Sequence, residues 1–299
     1  MDRRLKGVYA ASSTPLDHNG NLNAPKLVAH CLDLLKRGCD GICLLGTNGE
    51  ATSFSVAERG QILEALLNVG FPKSAIMLGS GAASVTDAIA ITRHAVRLGV
   101  TDFLILPPFF YKNVTDVALA NYYSQIIDAA GSSDMRVILY NIPQFSGIRI
   151  TAELITILQE RHPGVVVGVK DSSGDPQSAA LFLKEKERIG LLVGAETLLK
   201  TTLQEGGAGC ITGLANVDCE DLRTIYNDPT SEAAEKAHAR LAKLMKMAGD
   251  LPVISGIKAM VAWQKKDDSW LNIRAPLVDM TQGDYSKIRA EYLSIIAEI

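Results

Sequence analysis

Val165-Val166-Val167-Gly168-Val169-Lys170 is followed at once by Asp171-Ser172-Ser173-Gly174-Asp175-Pro176. A β-branched run closed by a lysine and then by a polar turn reads as a buried parallel strand with the lysine at its C-terminal end. In an α/β barrel, that end of a strand is where chemistry collects. A lysine held among apolar groups loses part of its preference for the charged form, and its amine can attack a carbonyl. The competing reading of Lys170 is an ordinary lysine whose stem packs and whose head reaches water. The rest of the chain decides between them.

Outward from Lys170 the same unit recurs. Apolar runs that read as strands cover 8–12, 41–45, 75–78, 102–106, 136–140, 191–193 and 209–212, with the Lys170 strand sixth in order. Helical spacing fills the intervals at 24–37, 55–69, 84–98, 115–130, 151–161, 176–188 and 197–205. Pro25 sits in a first turn, Ser55 with Glu58 forms a capping box, Thr151 is a cap, and Gly38 and Gly99 close helices. The Lys184-Glu185-Lys186-Glu187 run reads as a solvated helix face. Eight alternations at this spacing match an α/β fold of the (β/α)8 TIM-barrel type over residues 1–225. Residues 226–299 read as a C-terminal helical extension packed on the barrel, with helix at 231–247, again to about 264, and at 283–298. Gly249 and Pro252 interrupt it.

Composition bounds the function. The chain has 299 residues, 47% hydrophobic, enough for a large core. A formal net charge of −3, with no basic stripe and no acidic tail, leaves no electrostatic footprint for nucleic acid or a membrane surface. Cys31, Cys39, Cys43, Cys210 and Cys219 contain no C-x-x-C pair, which argues against a disulfide framework or a zinc site. The basic start, Met1-Asp2-Arg3-Arg4-Leu5-Lys6, lacks the apolar core of a signal peptide, and no apolar run approaches a membrane span. These features predict a cytoplasmic protein.

Several strand ends carry polar groups: Thr47 and Asn48 after the second, Tyr111 beside Phe110 after the fourth, Tyr140 at the fifth and Lys170 at the sixth. A hydroxyl and free backbone N–H groups in the glycine-bounded loop Gly46-Thr47-Asn48-Gly49 suit a carboxylate, although the loop also reads as a plain turn. A tyrosine facing the lysine suits proton transfer; alone, Tyr140 reads as a strand-end aromatic with its hydroxyl bonded. Gly79-Ser80-Gly81-Ala82-Ala83-Ser84 looks like a dinucleotide fingerprint, but Ser84 stands at the third glycine position and no acidic residue ends the next strand. His18, His30, His94, His162 and His238 are scattered, with no H-E-x-x-H, so no metal site is expected.

Three motifs occur in order at strand ends: Gly46-Thr47-Asn48-Gly49-Glu50, Tyr140-Asn141-Ile142-Pro143 and Gly168-Val169-Lys170-Asp171-Ser172-Ser173-Gly174. Together they resemble the dihydrodipicolinate synthase / N-acetylneuraminate lyase superfamily of Schiff-base, pyruvate-handling class I aldolases, over the whole chain. The resemblance implies that Lys170 forms an imine with pyruvate or another 2-oxo acid and that Tyr140 shuttles the proton. It implies that Thr47 positions Tyr140 and, with Asn48, holds the substrate carboxylate, and that the Ile211 carbonyl lines the pocket. It implies no metal or organic cofactor, and a homotetramer built as a dimer of dimers.

The departures narrow the expectation. Dihydrodipicolinate synthases carry an arginine where this chain has Phe145, so that condensation is not expected. Positions that hold sugar hydroxyls in sialic acid lyases read Glu196, Thr197 and Gly213. A tyrosine that family members contribute across a dimer interface matches Phe110, with Tyr111 next along. The remaining expectation is an aldolase for another 4-hydroxy-2-oxo acid, of the 2-keto-3-deoxy sugar acid type, with pyruvate and an aldehyde as partners. Phe110 and Phe145 would make the distal pocket more apolar, and an aromatic or short aldehyde fits that change. A dehydratase on the same scaffold, or a non-catalytic binder of 2-oxo acids, remains as an alternative.

Overall fold

Each of the eight apolar runs forms a strand in the computed structural model, which describes residues 3–249, 251–280 and 282–297. The strands are β1 (Gly7–Ala11), β2 (Gly41–Leu44), β3 (Ile76–Gly79), β4 (Asp102–Ile105), β5 (Arg136–Asn141), β6 (Val166–Asp171), β7 (Gly190–Val193) and β8 (Gly209–Thr212). All pair in parallel with their sequence neighbours, and β8 pairs with β1, so the sheet closes into a barrel. Closure leaves no sheet edge and gives every strand two buried faces. Side chains alternate accordingly. Cys43, Met77, Leu104, Ile138 and Ile211 fill the barrel interior. Their neighbours Ile42, Leu44, Ile76, Leu78, Phe103, Ile105, Val137 and Leu139 face the outer helices.

The outer layer is α1 (Ala24–Lys36), α2 (Val56–Leu67), α3 (Val85–Arg97), α4 (Asp116–Ala130), a one-turn α5 (Pro143–Ser146), α6 (Ala152–Arg161), α7 (Pro176–Leu183), α8 (Leu199–Gln204) and α9 (Cys219–Asn227). In α1 the buried residues Leu27, His30, Cys31 and Leu34 fall on one stripe at helical spacing. The expected capping box is present: the Ser55 hydroxyl accepts from the Glu58 N–H, and the Glu58 carboxylate accepts from the Ser55 N–H. The tail supplies α10 (Glu232–Gly249), α11 (Val253–Lys265) and α12 (Gln282–Ile296). The expected helix end at Glu298 and the start at Met1-Asp2 lie outside the described residues. No helix among the described residues is long and apolar enough to cross a membrane.

Two expectations differ. Helix 176–188 stops at Leu183, and 184–188 form turns, so the charged run is not a helix face. Ile189 is fully buried at the entry to β7, and turn bonds from Arg188 and Ile189 to the Glu185 carbonyl bring the chain inward. The helix expected at 197–205 opens as a 3-10 turn, Glu196–Leu198, before α8. Two further helices are not delimited by spacing: α5, held by Pro143 at its start and Gly147 at φ 67°, and α9, whose N-cap Asp218 accepts from the Asp221 N–H.

The tail is locked to the barrel by a buried ion pair. Lys258 of α11 binds the Glu50 carboxylate, and both side chains are within 1% of complete burial. Lys258 also donates to the Asn272 carbonyl (2.6 Å), and the Arg274 N–H donates to Glu50 Oε2 (3.1 Å). The Arg274 guanidinium donates to Gly20 O, Ser53 O and Glu58, and lies 4.3 Å over the Phe54 ring. Burial lowers the Lys258 pKa, while Glu50 pulls it back up. Removing one partner leaves an uncompensated buried charge. Lys258→Met is therefore expected to cost about 3–5 kcal/mol in urea unfolding, and Glu50→Gln added to it to recover much of the loss. Equal stability of Lys258→Met and wild type would show that the pair does not couple tail to barrel.

His30 makes a second tie. Its ring lies edge-on to Trp270 at 4.8 Å, and its Nε2 donates to Asn216 Oδ1 (2.9 Å). That oxygen also accepts from the Ser13 N–H, which sets the imidazole tautomer and leaves Nδ1 without a partner. Burial pushes the His30 pKa down to about 4, against the Asn216 bond. Between that value and the unfolded value of about 6.5, the unfolded chain binds more protons. The stabilisation from neutral His30 is complete above pH 6.5 and is lost as pH falls toward 4. Relative to His30→Gln, wild type is expected to lose about 2–3 kcal/mol between pH 7.5 and 4.5 in urea unfolding. A pH-independent difference would contradict a neutral buried imidazole.

Candidate active site

Parallel pairing between β5 and β6 begins with Val137 opposite Val166 but continues with Ile138 opposite Gly168. One extra residue, Val167, is thus accommodated in β6 as a bulge. The shift brings Lys170 opposite Tyr140; continued pairing from Val166 would have put Val169 there. Gly168 permits it. A Cβ at Gly168 would stand 2.9 Å from the Gly190 carbonyl oxygen and 3.6 Å from Ile138 Cγ1. Val167, the extra residue, already fills the barrel interior at that level.

Tyr140 and Lys170 point into the barrel at its C-terminal mouth. Their neighbours Asn141 and Asp171 point outward and bind each other (2.8 Å), while Asn141 Oδ1 accepts from the Ile150 N–H. The paired strand ends are thus fastened behind the site. Lys170 is 3% exposed, with Nζ 4.3 Å from the Tyr140 ring centroid. Among the described residues, no hydrogen bond or ion pair engages its amine. Gly194 keeps its space open: a Cβ there would lie 3.2 Å from Lys170 Cε and would collide with Ser172 Oγ.

The Tyr140 hydroxyl is 3.1 Å from Thr47 Oγ1. Thr47 follows a sharp exit from β2, with Leu45 at φ 57° and Glu50 at φ 56° bracketing the loop. Left-handed backbone at a non-glycine residue costs roughly 1–3 kcal/mol, and the surroundings enforce it here. Gly79 allows the Leu45 carbonyl to pass where a Cβ would be 2.0 Å away, and Lys258 and Arg274 hold Glu50. Asn48 is buried with its Oδ1 unpartnered, and its amide nitrogen packs where a Cβ on Gly213 would be 2.8 Å distant. Ile211 is fully buried in the barrel interior.

Glu196 is buried, and its Oε1 accepts from the Leu214 N–H (3.0 Å). Burial raises its pKa, against the pull of that bond and of the Lys170 charge. It is committed to the β8 loop and does not line the cavity. The Cys43 thiol, next to Lys170 electrostatically, is pushed up to about 11 by burial.

A cavity of about 390 Å³ opens at Thr47 and Tyr140 and is lined further by Phe109, Ile142, Phe145 and other residues from the barrel loops; Lys170, Asn48, Ile211 and Gly213 are not among its lining residues. Ile254, Pro276 and Leu277 of the tail complete its wall. Phe145 is one of the lining residues. Phe110 and Tyr111 lie outside the cavity of the single chain, 74% and 71% exposed and packed edge-to-face on each other at 5.3 Å, where an aromatic contributed across a dimer interface would also stand. Phe109, one residue earlier, is the aromatic that turns into the cavity. The loop after β4 is irregular, and no periodicity tells which of three successive aromatics faces inward.

Arg59 is a wall residue that motif reading misses. It is buried, makes no ion pair among the described residues, and donates to the carbonyls of Gly79 (2.7 Å) and Gly81 (3.3 Å). Burial pushes its pKa down to about 10. The glycines that mimic a dinucleotide fingerprint thus serve close packing: a Cβ at Gly81 would lie 2.4 Å from the Leu106 nitrogen. Among the described residues no group of three or more His, Cys, Asp or Glu side chains is arranged to hold a metal ion.

The profile of the Dihydrodipicolinate synthetase family matches residues 4–294. The chain belongs to this family. An uncharacterized DapA-like lyase of Chloroflexus aurantiacus is 30% identical over 295 residues, covering 98% of this chain and 97% of the relative. The crystal structure of dihydrodipicolinate synthase from Agrobacterium tumefaciens shares 31% identity and superposes with a TM-score of 0.90, covering 97% of this chain and 99% of that one. A prophage protein of the family from E. coli K12, solved in complex with pyruvate, has the same fold at 21% identity and a TM-score of 0.86, with 97% and 98% of the chains covered. Family membership makes the chain an enzyme of the lyase type.

The pairing of Lys170 with Tyr140 requires the β6 register. Gly168→Ala places a methyl against the Gly190 carbonyl and is expected to destabilise the fold by about 1–3 kcal/mol in urea unfolding, the usual cost of overpacking. A neutral effect would show that the bulge tolerates a side chain.

Proposed function

We propose that the protein is a Schiff-base aldolase that adds pyruvate, or another 2-oxo acid, to an aldehyde, or cleaves the resulting 4-hydroxy-2-oxo acid. The observation that carries this reading is the convergence of the Lys170 amine, 4.3 Å from the Tyr140 ring, with a Tyr140 hydroxyl 3.1 Å from Thr47. A buried amine that no hydrogen bond or ion pair engages among the described residues, beside a hydroxyl relay, suits imine chemistry. The pyruvate complex of the E. coli prophage relative agrees with it.

In the condensing direction, Lys170 Nζ adds to C2 of pyruvate and water leaves, forming the protonated imine. A methyl proton passes to the Tyr140–Thr47 hydroxyl pair, giving the enamine, whose carbon attacks the aldehyde carbonyl. Tyr140 supplies the proton that the new alkoxide takes, relayed through Thr47. Water then hydrolyses the imine and frees the lysine. The protonated imine draws the electrons itself, so this route requires no metal or organic cofactor. Thr47 and the N–H groups of the Thr47-Asn48 loop are assigned to the pyruvate carboxylate. A homotetramer would give the exposed Phe110–Tyr111 pair a neighbour to cover it.

Borohydride reduction in the presence of pyruvate is expected to fix a covalent adduct on Lys170, read by peptide mass spectrometry. Lys170→Ala should abolish it. Tyr140→Phe should keep the adduct while turnover falls about 10²–10⁴-fold, the scale for loss of a general acid/base. An adduct absent from Lys170 would remove the Schiff-base reading.

A further inference from the structure

We infer that the aldehyde partner carries an apolar group, aryl or branched alkyl, rather than a polyhydroxylated or carboxylated chain. The inference rests on the Schiff-base reading of Lys170 and concerns what fills the cavity beyond it.

The wall beyond Thr47 and Tyr140 is built from Leu106, Phe109, Ile142 and Phe145 of the barrel and from Ile254 and Leu277 of the tail. At about 390 Å³ the cavity, which begins at the Thr47 and Tyr140 hydroxyls, accommodates a ring. Among the described residues, two charged side chains reach the wall, and both are engaged. Glu50 is neutralised by Lys258 and accepts from the Arg274 N–H. Arg59 donates to the Gly79 and Gly81 carbonyls.

Apart from Thr47 and Tyr140, the wall's hydroxyls are those of Thr52 and Ser53. A sugar-acid chain would exchange water for apolar carbon at most of its hydroxyls, which costs binding at each unpaired group. An aryl or branched alkyl group loses nothing and releases water from the wall. Phe145 is 56% exposed at the cavity while lining it, so an apolar occupant would bury an aromatic ring that now faces water. The group that points the other way is Arg59, whose Nε has no partner; a carboxylated aldehyde would use it.

The test runs the wild-type enzyme with pyruvate against benzaldehyde, isobutyraldehyde, D-glyceraldehyde and L-aspartate semialdehyde. Borohydride trapping on Lys170 is measured in parallel. The adduct is expected to form, and kcat/KM for the two apolar aldehydes is expected to exceed that for the two polar ones by at least about 10²-fold, the scale at which apolar pockets discriminate. Phe145→Arg, at a half-exposed position, should lower the ratio of benzaldehyde to aspartate semialdehyde by about tenfold or more. An adduct accompanied by equal or better use of glyceraldehyde or aspartate semialdehyde, or by no turnover of any aldehyde, would overturn the inference and leave the imine chemistry standing. No adduct on Lys170 would remove the Schiff-base reading and this inference with it.

Discussion

Glu50 and Lys258 meet where no water reaches, and the geometry of the site depends on that meeting. Taking two charges out of water is unfavourable unless each finds its partner and its remaining hydrogen bonds. The Asn272 carbonyl and the Arg274 N–H supply those bonds. Glu50 sits in left-handed backbone three residues after Thr47, so whatever holds Glu50 holds the loop that carries Thr47 to Tyr140. The helical tail therefore fastens a strained barrel loop in the conformation the site needs. It also contributes wall, since Ile254, Pro276 and Leu277 face the same cavity.

The second constraint is register. Closed parallel sheets normally keep a continuous ladder, and a bulge is kept where it re-aims a side chain. Between β5 and β6 the extra residue Val167 turns Lys170 to face Tyr140. Gly168 and Gly194 leave room for it, the first beside the Gly190 carbonyl and the second beside Lys170 Cε. Asn141 and Asp171, which belong to the same two motifs, bind each other outside the barrel. Half of each motif thus faces the barrel mouth and the other half fastens the strand ends together.

Around this cluster the protein keeps buried titratable groups neutral or bonded. His30 is uncharged against Asn216 and Trp270, Glu196 is held by the Leu214 N–H, and the Arg59 guanidinium caps two carbonyls. The cavity is left with the Thr47–Tyr140 hydroxyl pair at one end, the Lys170 amine beside the Tyr140 ring, and apolar carbon at the other end. That separation is what a reaction needs when an imine forms on one partner and the second partner is held by shape and burial.

Periodicity was enough to read the eight strands, most of the helices and the placement of Thr47, Tyr140 and Lys170 at strand ends, because side-chain alternation and helical spacing are local properties of the chain. Phe109 was not legible, since the irregular loop after β4 has no period, and neither was Arg59, which lies on a helix and reaches the cavity only because α2 packs there. The turn at 184–188 escaped because burial of Ile189 overrides the helix propensity of a charged run. By itself the sequence determined the barrel, its helical extension and the residues with reactive side chains. Only the tertiary structure decided that Val167 bulges so that Lys170 faces Tyr140, that Lys258 reaches Glu50 across the molecule, and that the tail closes an apolar wall over the site. Those are contacts between residues far apart in the chain, set by packing and desolvation in three dimensions, and no local pattern encodes them.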